Sequence, residues 1–285
     1  MFSETHFHLR HLPYDFVGPT IKTAEKAGVE LALDTGVDVD SSEQEIITAR
    51  RYDILKASIG IHPWNADLCT EKAIQRLKEL SANEEVVAFS EIGLDYRSRR
   101  ERETARSGAE PLDKQIQRNA FRELLRAAKE LKLPVIIHDN TPDQEVLDIL
   151  KEEGNAQIGA IIHGFNKDPA YAKRCVEMGI FISIGLGILE SGSPINTSIQ
   201  PMRVTIPWLG IEPQQRAPSP EREKQRTNLI EVIKQTDMKW ILTETDRQNP
   251  AGVLIVAKKI AEIKDLTTDK VGRMTTQNLK KLLRI

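Results

Sequence analysis

Six histidines occur in the 285 residues, and five of them fall at or just after short apolar runs. His6 and His8 stand two apart in the run 1–8, and a strand repeats every two residues, so both side chains face one side. His62 follows 56–61 (KASIGI), His138 closes 134–138 (PVIIH) and His163 closes 157–163 (QIGAIIH). Two carboxylates hold equivalent places: Glu91 ends 85–91 (EVVAFSE), and Asp246 lies just past 239–244 (KWILTE). Imidazoles and carboxylates without thiolates suit Zn, Mn, Fe or Mg in a catalytic centre, not a structural zinc finger. Six ligands exceed what one open catalytic ion needs. They suit two divalent ions sharing a bridging carboxylate, the arrangement of a binuclear hydrolase. Glu244, two residues before Asp246 on an extended chain, reads as a group that orients a ligand. His11 reads as a surface residue. Cys69 and Cys175 show no CxxC spacing, which fits a reducing compartment and gives no thiolate metal site.

Positioning these groups takes a repeating scaffold. Adding 29–34 (VELALD) and 179–184 (GIFISI) brings the strand candidates to eight. Helical spacing recurs between them, as in 112–131 with Phe121, Leu124, Leu125 and Ala128, and in 141–153, opened by Thr141-Pro142 and closed by Gly154. Eight strands in 285 residues is about 36 residues per βα unit, which predicts an α/β fold of the TIM (β/α)8 barrel type. One domain then spans 1–285, and its strand ends converge on a single mouth. An open doubly wound sheet is the alternative, but no GxGxxG follows the first strand. Two long βα loops break the rhythm, at about 97–111 and 186–220. The first holds Arg97, Arg99, Arg100, Arg102 and Arg106 among three glutamates. It reads either as a solvated charged loop or, at the mouth, as a grip on phosphates through Arg97, Arg99 and Arg100. The second holds six prolines and Trp208, and reads as a lid, a narrowing wall or surface decoration.

A composition 40% hydrophobic and 29% charged can bury a core and excludes a disordered chain. The net charge of −2 excludes a generic basic DNA-coating protein, so nucleic-acid binding must come from a local patch. No run of about 18 apolar residues occurs, so the expectation is a soluble, cytoplasmic protein without a membrane partner.

The motifs ETHFHL, GIHPW (60–64), SEIGLDYR (90–97), LPVIIH (133–138), IIHGF (161–165) and ETD (244–246) run in order along nearly the whole chain. Together with the C-terminal TTQNLKKLL, they resemble the TatD-type metal-dependent DNases. The resemblance implies a TIM barrel in which His6, His8 and Asp246 hold one metal, His138 and His163 the other, and Glu91 bridges them. It implies that His62 contacts the scissile phosphate or orients a ligand. It also implies a deoxyribonuclease acting from a strand end on DNA or another phosphodiester, with two divalent ions (Mg, Mn or Zn), and Asp246 taking the proton of the attacking water. Some positions depart from the family pattern: Glu4 for an Asp, Asn140 for the Arg of His-x-Arg, Gly164 and Asn166 for Cys and Ser, and RQNP after ETD. A second reading keeps the metals and changes the bond, giving an amidohydrolase or a deacylase of an ester such as aminoacyl-tRNA. Many binuclear amidohydrolases bridge their metals with a carbamylated Lys, whereas here Glu91 stands at that place. A third reading, a binding protein that has lost its chemistry, requires missing ligands, and none is missing.

Overall fold

A computed structural model describes residues 1–97, 113–189, 220–247 and 249–285. Eight strands form one parallel sheet in sequential order: β1 (Phe2–Phe7), β2 (Val29–Thr35), β3 (Leu55–Ile59), β4 (Val86–Asp95), β5 (Val135–Asn140), β6 (Ala160–Ile162), β7 (Phe181–Ile184) and β8 (Ile241–Thr243). Between them run α1 (Tyr14–Lys26), α2 (Val39–Ala49), α3 (Glu71–Leu80), α4 (Lys114–Leu131), α5 (Glu145–Glu153), α6 (Pro169–Glu177) and α7 (Pro220–Gln235). Two more, α8 (Val253–Lys264) and α9 (Thr268–Leu283), follow β8. This is the expected (β/α)8 barrel. No helix among the described residues is long and apolar enough to cross a membrane.

Boundaries differ from expectation where local hydrogen bonding wins. The helix expected from Thr141 starts at Glu145. Thr141 instead commits its backbone N–H and hydroxyl to Asp139 Oδ1, at 3.1 and 2.8 Å, which turns the chain before the helix begins. Gly154 ends α5 as predicted, in a left-handed conformation (φ 72°) that favours glycine. β6 starts only at Ala160, because Asn155–Gln157 form a 3-10 turn. β4 continues past Glu91 to Asp95. Pro220, expected in a loop, opens α7. Of the two predicted long loops, residues 98–112 and 190–219 lie outside the described residues, and Arg99, Arg100 and Trp208 with them. The side chain of His11 does too.

Strand alternation sorts the side chains. Leu31, Leu33, Val87, Ile136, Ile161 and Leu242 meet inside the barrel, and Leu279, Leu282 and Leu283 of α9 close its floor. Residues of the other parity, among them Ile59, Ile137, Ile162, Ile184 and Ile241, pack outward with Phe121, Leu124 and Ile260 of the helices. The inward rows change character upward: two residues above Ile136, Ile161 and Leu242 stand His138, His163 and Glu244.

The seam between β8 and β1 is closed at its upper end. Asp246 N–H donates to His6 O at 3.0 Å, and His8 N–H donates to Arg247 O at 3.1 Å. Glu4 lies buried beneath, and its Oε1 accepts from the N–H groups of His6 (3.1 Å) and Thr245 (2.9 Å). Burial holds its carboxyl well above the usual range. Glu4 therefore fastens the seam.

Beside it, Asp34 of β2 accepts Leu9 N–H at 3.0 Å and pairs with Glu45 of α2. Two buried carboxyls cannot both ionise, and burial with the Asp34 charge pushes Glu45 up to about 11. A raised folded pKa makes a contribution to stability that is complete below the unfolded value of 4.5 and declines as pH rises toward 11. Glu45→Gln keeps a donor for Asp34 and has no proton to lose. It is expected to match the parent near pH 5 and to exceed it at pH 9 in urea-unfolding midpoint. Leu279 is fully buried, and Leu279→Ala is expected to lower unfolding free energy by about 2–5 kcal/mol with an unchanged m-value.

Candidate metal centre

Five histidines and two carboxylates gather at the upper strand ends around Glu91, all buried except Asp246, whose side chain is 54% exposed at the mouth. The two oxygens of Glu91 divide the imidazoles. Oε2 faces His6 Nε2 at 3.4 Å and His8 Nε2 at 3.6 Å. Oε1 faces His138 Nδ1 at 2.6 Å, His163 Nε2 at 2.9 Å and His62 Nε2 at 3.4 Å. Asp246 Oδ1 completes the first group, 3.8 Å from His6 Nε2 and 3.4 Å from His8 Nε2. Its backbone is left-handed (φ 50°), which turns the carboxylate back over the strand end.

The second nitrogen of each ring tells the rings apart. A neutral imidazole carries one proton, so a nitrogen that donates leaves the other with a bare lone pair. His8 Nδ1 lies 3.0 Å from the carbonyl of Thr35, which accepts only, so Nδ1 carries the proton and Nε2 turns to the cage. His6 Nδ1 rests on Thr35 Oγ1 at 3.3 Å, and its buried Nε2 has no hydrogen-bond partner. His138 Nε2 lies 3.1 Å from Asp95 Oδ2 and 2.6 Å from Asn140 Nδ2; with its proton on Nε2, shared with Asp95, the ring turns Nδ1 to Glu91 as an acceptor. His163 turns Nδ1 toward Glu244, 3.6 Å from Oε1 and beyond hydrogen-bond reach, while its Nε2 lies 2.9 Å from Glu91 Oε1. Glu244 is itself held by Gly164 N–H at 2.6 Å. Four ring nitrogens, Nε2 of His6, His8 and His163 and Nδ1 of His138, thus face Glu91, and those of His138 and His163 stand only 3.1 Å apart. Acceptors converge this closely around a cation, and anchoring of the distal nitrogen is the pattern of metal-bound histidine. Three overlapping groups bring their ligand atoms close enough to hold a divalent ion: His6, His8 and Asp246; His6, Glu91 and His163; and His62, Glu91 and His138.

His62 has the reverse arrangement. Its Nδ1 accepts Trp64 N–H at 3.0 Å, so the neutral ring presents Nε2–H. Burial pushes its pKa down to about 4, which keeps the ring neutral. It is a donor among acceptors.

Burial opposes the charge of Glu91, but the surrounding histidines outweigh it and hold the carboxyl well below its usual range. Burial likewise pulls His8, His138 and His163 down, and their carboxylate neighbours outweigh it: Asp246 and Glu91 for His8, Asp95 and Glu91 for His138, Glu91 and Glu244 for His163. A divalent cation has to displace the protons so held.

Arg97, expected to grip phosphates, lies instead on Asp95. Its Nε is 3.0 Å from Oδ1 and its Nη2 2.6 Å from Oδ2. Asn140 places its amide 2.6 Å from His138 Nε2 and accepts from Asn166 Nδ2 at 3.2 Å, so an amide pair stands where the family pattern has a guanidinium. Asp95 and Thr35 escaped the sequence reading. Asp95 had a signal, because 91, 93 and 95 share one side of an extended strand. Thr35 acts partly through its carbonyl, which no residue type announces.

The barrel and its buried histidine–carboxylate cage define a metal-dependent hydrolase. The chain belongs to the TatD related DNase family, whose model matches residues 4–200. It is 31% identical to the metal-dependent hydrolase YabD of Bacillus subtilis, with 100% of both chains covered. It is 26% identical to the deoxyribonuclease Tat-D of Schizosaccharomyces pombe, over 98% of this chain and 90% of that one. Among solved structures, the TatD homolog YjjV of Escherichia coli superposes with a TM-score of 0.77 over 100% of this chain and 98% of that one. Identity there is 20%, so that likeness concerns the fold.

Because bound protons must leave, affinity for Mn²⁺ is expected to weaken as pH falls from 8 to 6, with proton release on binding. Calorimetric titration in buffers of different ionisation enthalpy measures both.

Proposed function

We propose that this chain is a phosphodiesterase, a deoxyribonuclease that shortens DNA from a strand end with two divalent ions. The observation that carries this reading is the division of Glu91, one oxygen toward His6 and His8 and the other toward His138 and His163. His6, His8, Asp246 and Glu91 Oε2 would hold one ion; His138, His163 and Glu91 Oε1 would hold the other. When bound, such ions lower the pKa of water and neutralise charge on a phosphoryl group. The family and the names of its members support DNA as substrate. The enclosed cage supports entry by a strand end, because a reacting phosphate has to descend to buried ligands.

The chain's own groups have distinct tasks. Asp246, exposed at the mouth, accepts the proton of the attacking water. Opposing burial, the hydrogen bond and charge of His8 with the charge of His6 keep its carboxyl low and therefore ionised. His62 donates Nε2–H to a phosphoryl oxygen as negative charge grows on it. Arg97 is occupied by Asp95.

The amide pair Asn140 and Asn166 favours a second reading, cleavage of an uncharged acyl bond whose carbonyl an amide can bind. End-labelled single-stranded DNA, incubated with Mg²⁺ or Mn²⁺, separates the two. Progressive shortening that chelator abolishes and Glu91→Gln lacks is the expected result. Intact DNA from folded, metal-loaded protein overturns the nuclease reading and directs the search to aminoacyl esters and amides. His62→Ala is expected to lose roughly a hundred- to a thousandfold in kcat while binding Mn²⁺ as the parent does. Weakened Mn²⁺ binding would make His62 a ligand instead.

A further inference from the structure

We propose that Asp95 is a positioning residue for the second ion: by accepting the Nε2 proton of His138 it turns Nδ1 toward Glu91, and Trp64 and Arg97 hold it in that task. The inference rests on the two-ion reading of the site and extends it to a residue outside the ligand set.

Asp95 is fully buried at the end of β4, in register with Asn140 of β5. Groups of three residues converge on its Oδ2: His138 Nε2 at 3.1 Å, Trp64 Nε1 at 3.0 Å and Arg97 through Nη2 at 2.6 Å and Nε at 3.2 Å; the Asn140 amide also lies 2.6 Å from His138 Nε2. Oδ1 takes the backbone N–H and Nε of Arg97, both at 3.0 Å. Gln117 of α4 grips the peptide from both edges, its Oε1 accepting Asp95 N–H at 2.8 Å and its Nε2 donating to Asp95 O at 3.1 Å. A carboxylate serving only the half-exposed Arg97 has no need of a buried place or of an indole and an imidazole on the same oxygen. The backbone has also been cleared for it. Gly93 lies against β5 so closely that a Cβ would stand 2.0 Å from His138 O, and its φ of 145° favours glycine.

Trp64 extends the device. Its backbone N–H sets the donor face of His62, and its indole N–H steadies the acceptor that sets His138. One residue thus ties the orientation of the phosphate donor to that of a metal ligand.

The test is Mn²⁺ titration calorimetry on the purified full chain, with no substrate present. The parent is expected to take two ions. In Asp95→Asn, the site of His6, His8 and Asp246 is expected to keep its affinity, while the second weakens about 10- to 100-fold. Trp64→Phe, which keeps an aromatic ring and removes only the indole donor, is expected to weaken the same site less, and it carries the test if Asp95→Asn does not fold. Two ions at parental affinity in a folded variant overturn the proposal, as does equal weakening of both sites, which marks a merely structural role. A parent that takes one ion ends the two-ion reading and this proposal together. Selective loss of the second site in a protein that leaves DNA intact upholds this proposal while the nuclease reading fails.

Discussion

One buried carboxylate surrounded by imidazoles is the constraint around which this molecule is organised. Glu91 lies where a bare anion is costly, so the imidazoles that face it must carry positive charge among them, as protons or as cations. The ends of β1, β5 and β6 bring four imidazoles to two different oxygens of one side chain on β4. The barrel exists, in this sense, to hold mutually repelling acceptors in place: its floor is packed with leucine and isoleucine, and the same inward rows end in histidine or glutamate. The apolar lower rows supply the rigidity that the polar upper rows consume.

What distinguishes one histidine from another is the group behind it. Carbonyl, hydroxyl and carboxylate groups stand behind His8, His6, His138 and His163, and a backbone N–H makes His62 a donor. Five rings of one residue type thereby take two roles. The departures from the family pattern fall outside this logic. Glu4 fastens the seam without pointing into the cage, and Asn140 stands beside His138 without replacing it.

The barrel and the convergence of His6, His8, His138, His163 and Asp246 on Glu91 were legible because period-two alternation places reactive residues directly above apolar ones, as in Ile136–His138 and Ile161–His163. Less was legible where a residue's task depends on a partner distant in sequence. Arg97 reads as a free cation until Asp95 is seen folded against it. Asp95 reads as one acid among many until His138, 43 residues on, is placed beside it. Thr141 reads as a helix cap, yet Asp139 takes its hydroxyl first. Composition records none of these choices, because each is a competition settled by three-dimensional proximity.

The seam between the first and last strands has a consequence for the order in which the molecule is assembled. Glu4 and Thr245 meet across 241 positions of chain, so this join closes a very long loop, whereas β4, β5 and β6 pair with their immediate successors. Contacts so remote in sequence demand the largest loss of chain entropy and favour late formation. The cage straddles that divide. His138, His163 and Glu91 belong to neighbouring strands and can come together on an open sheet; His6 and His8 meet Asp246 only when the cylinder is shut. An ion held between those last three would act as a clasp, its binding energy opposing the reopening of the one join that no continuous ladder secures.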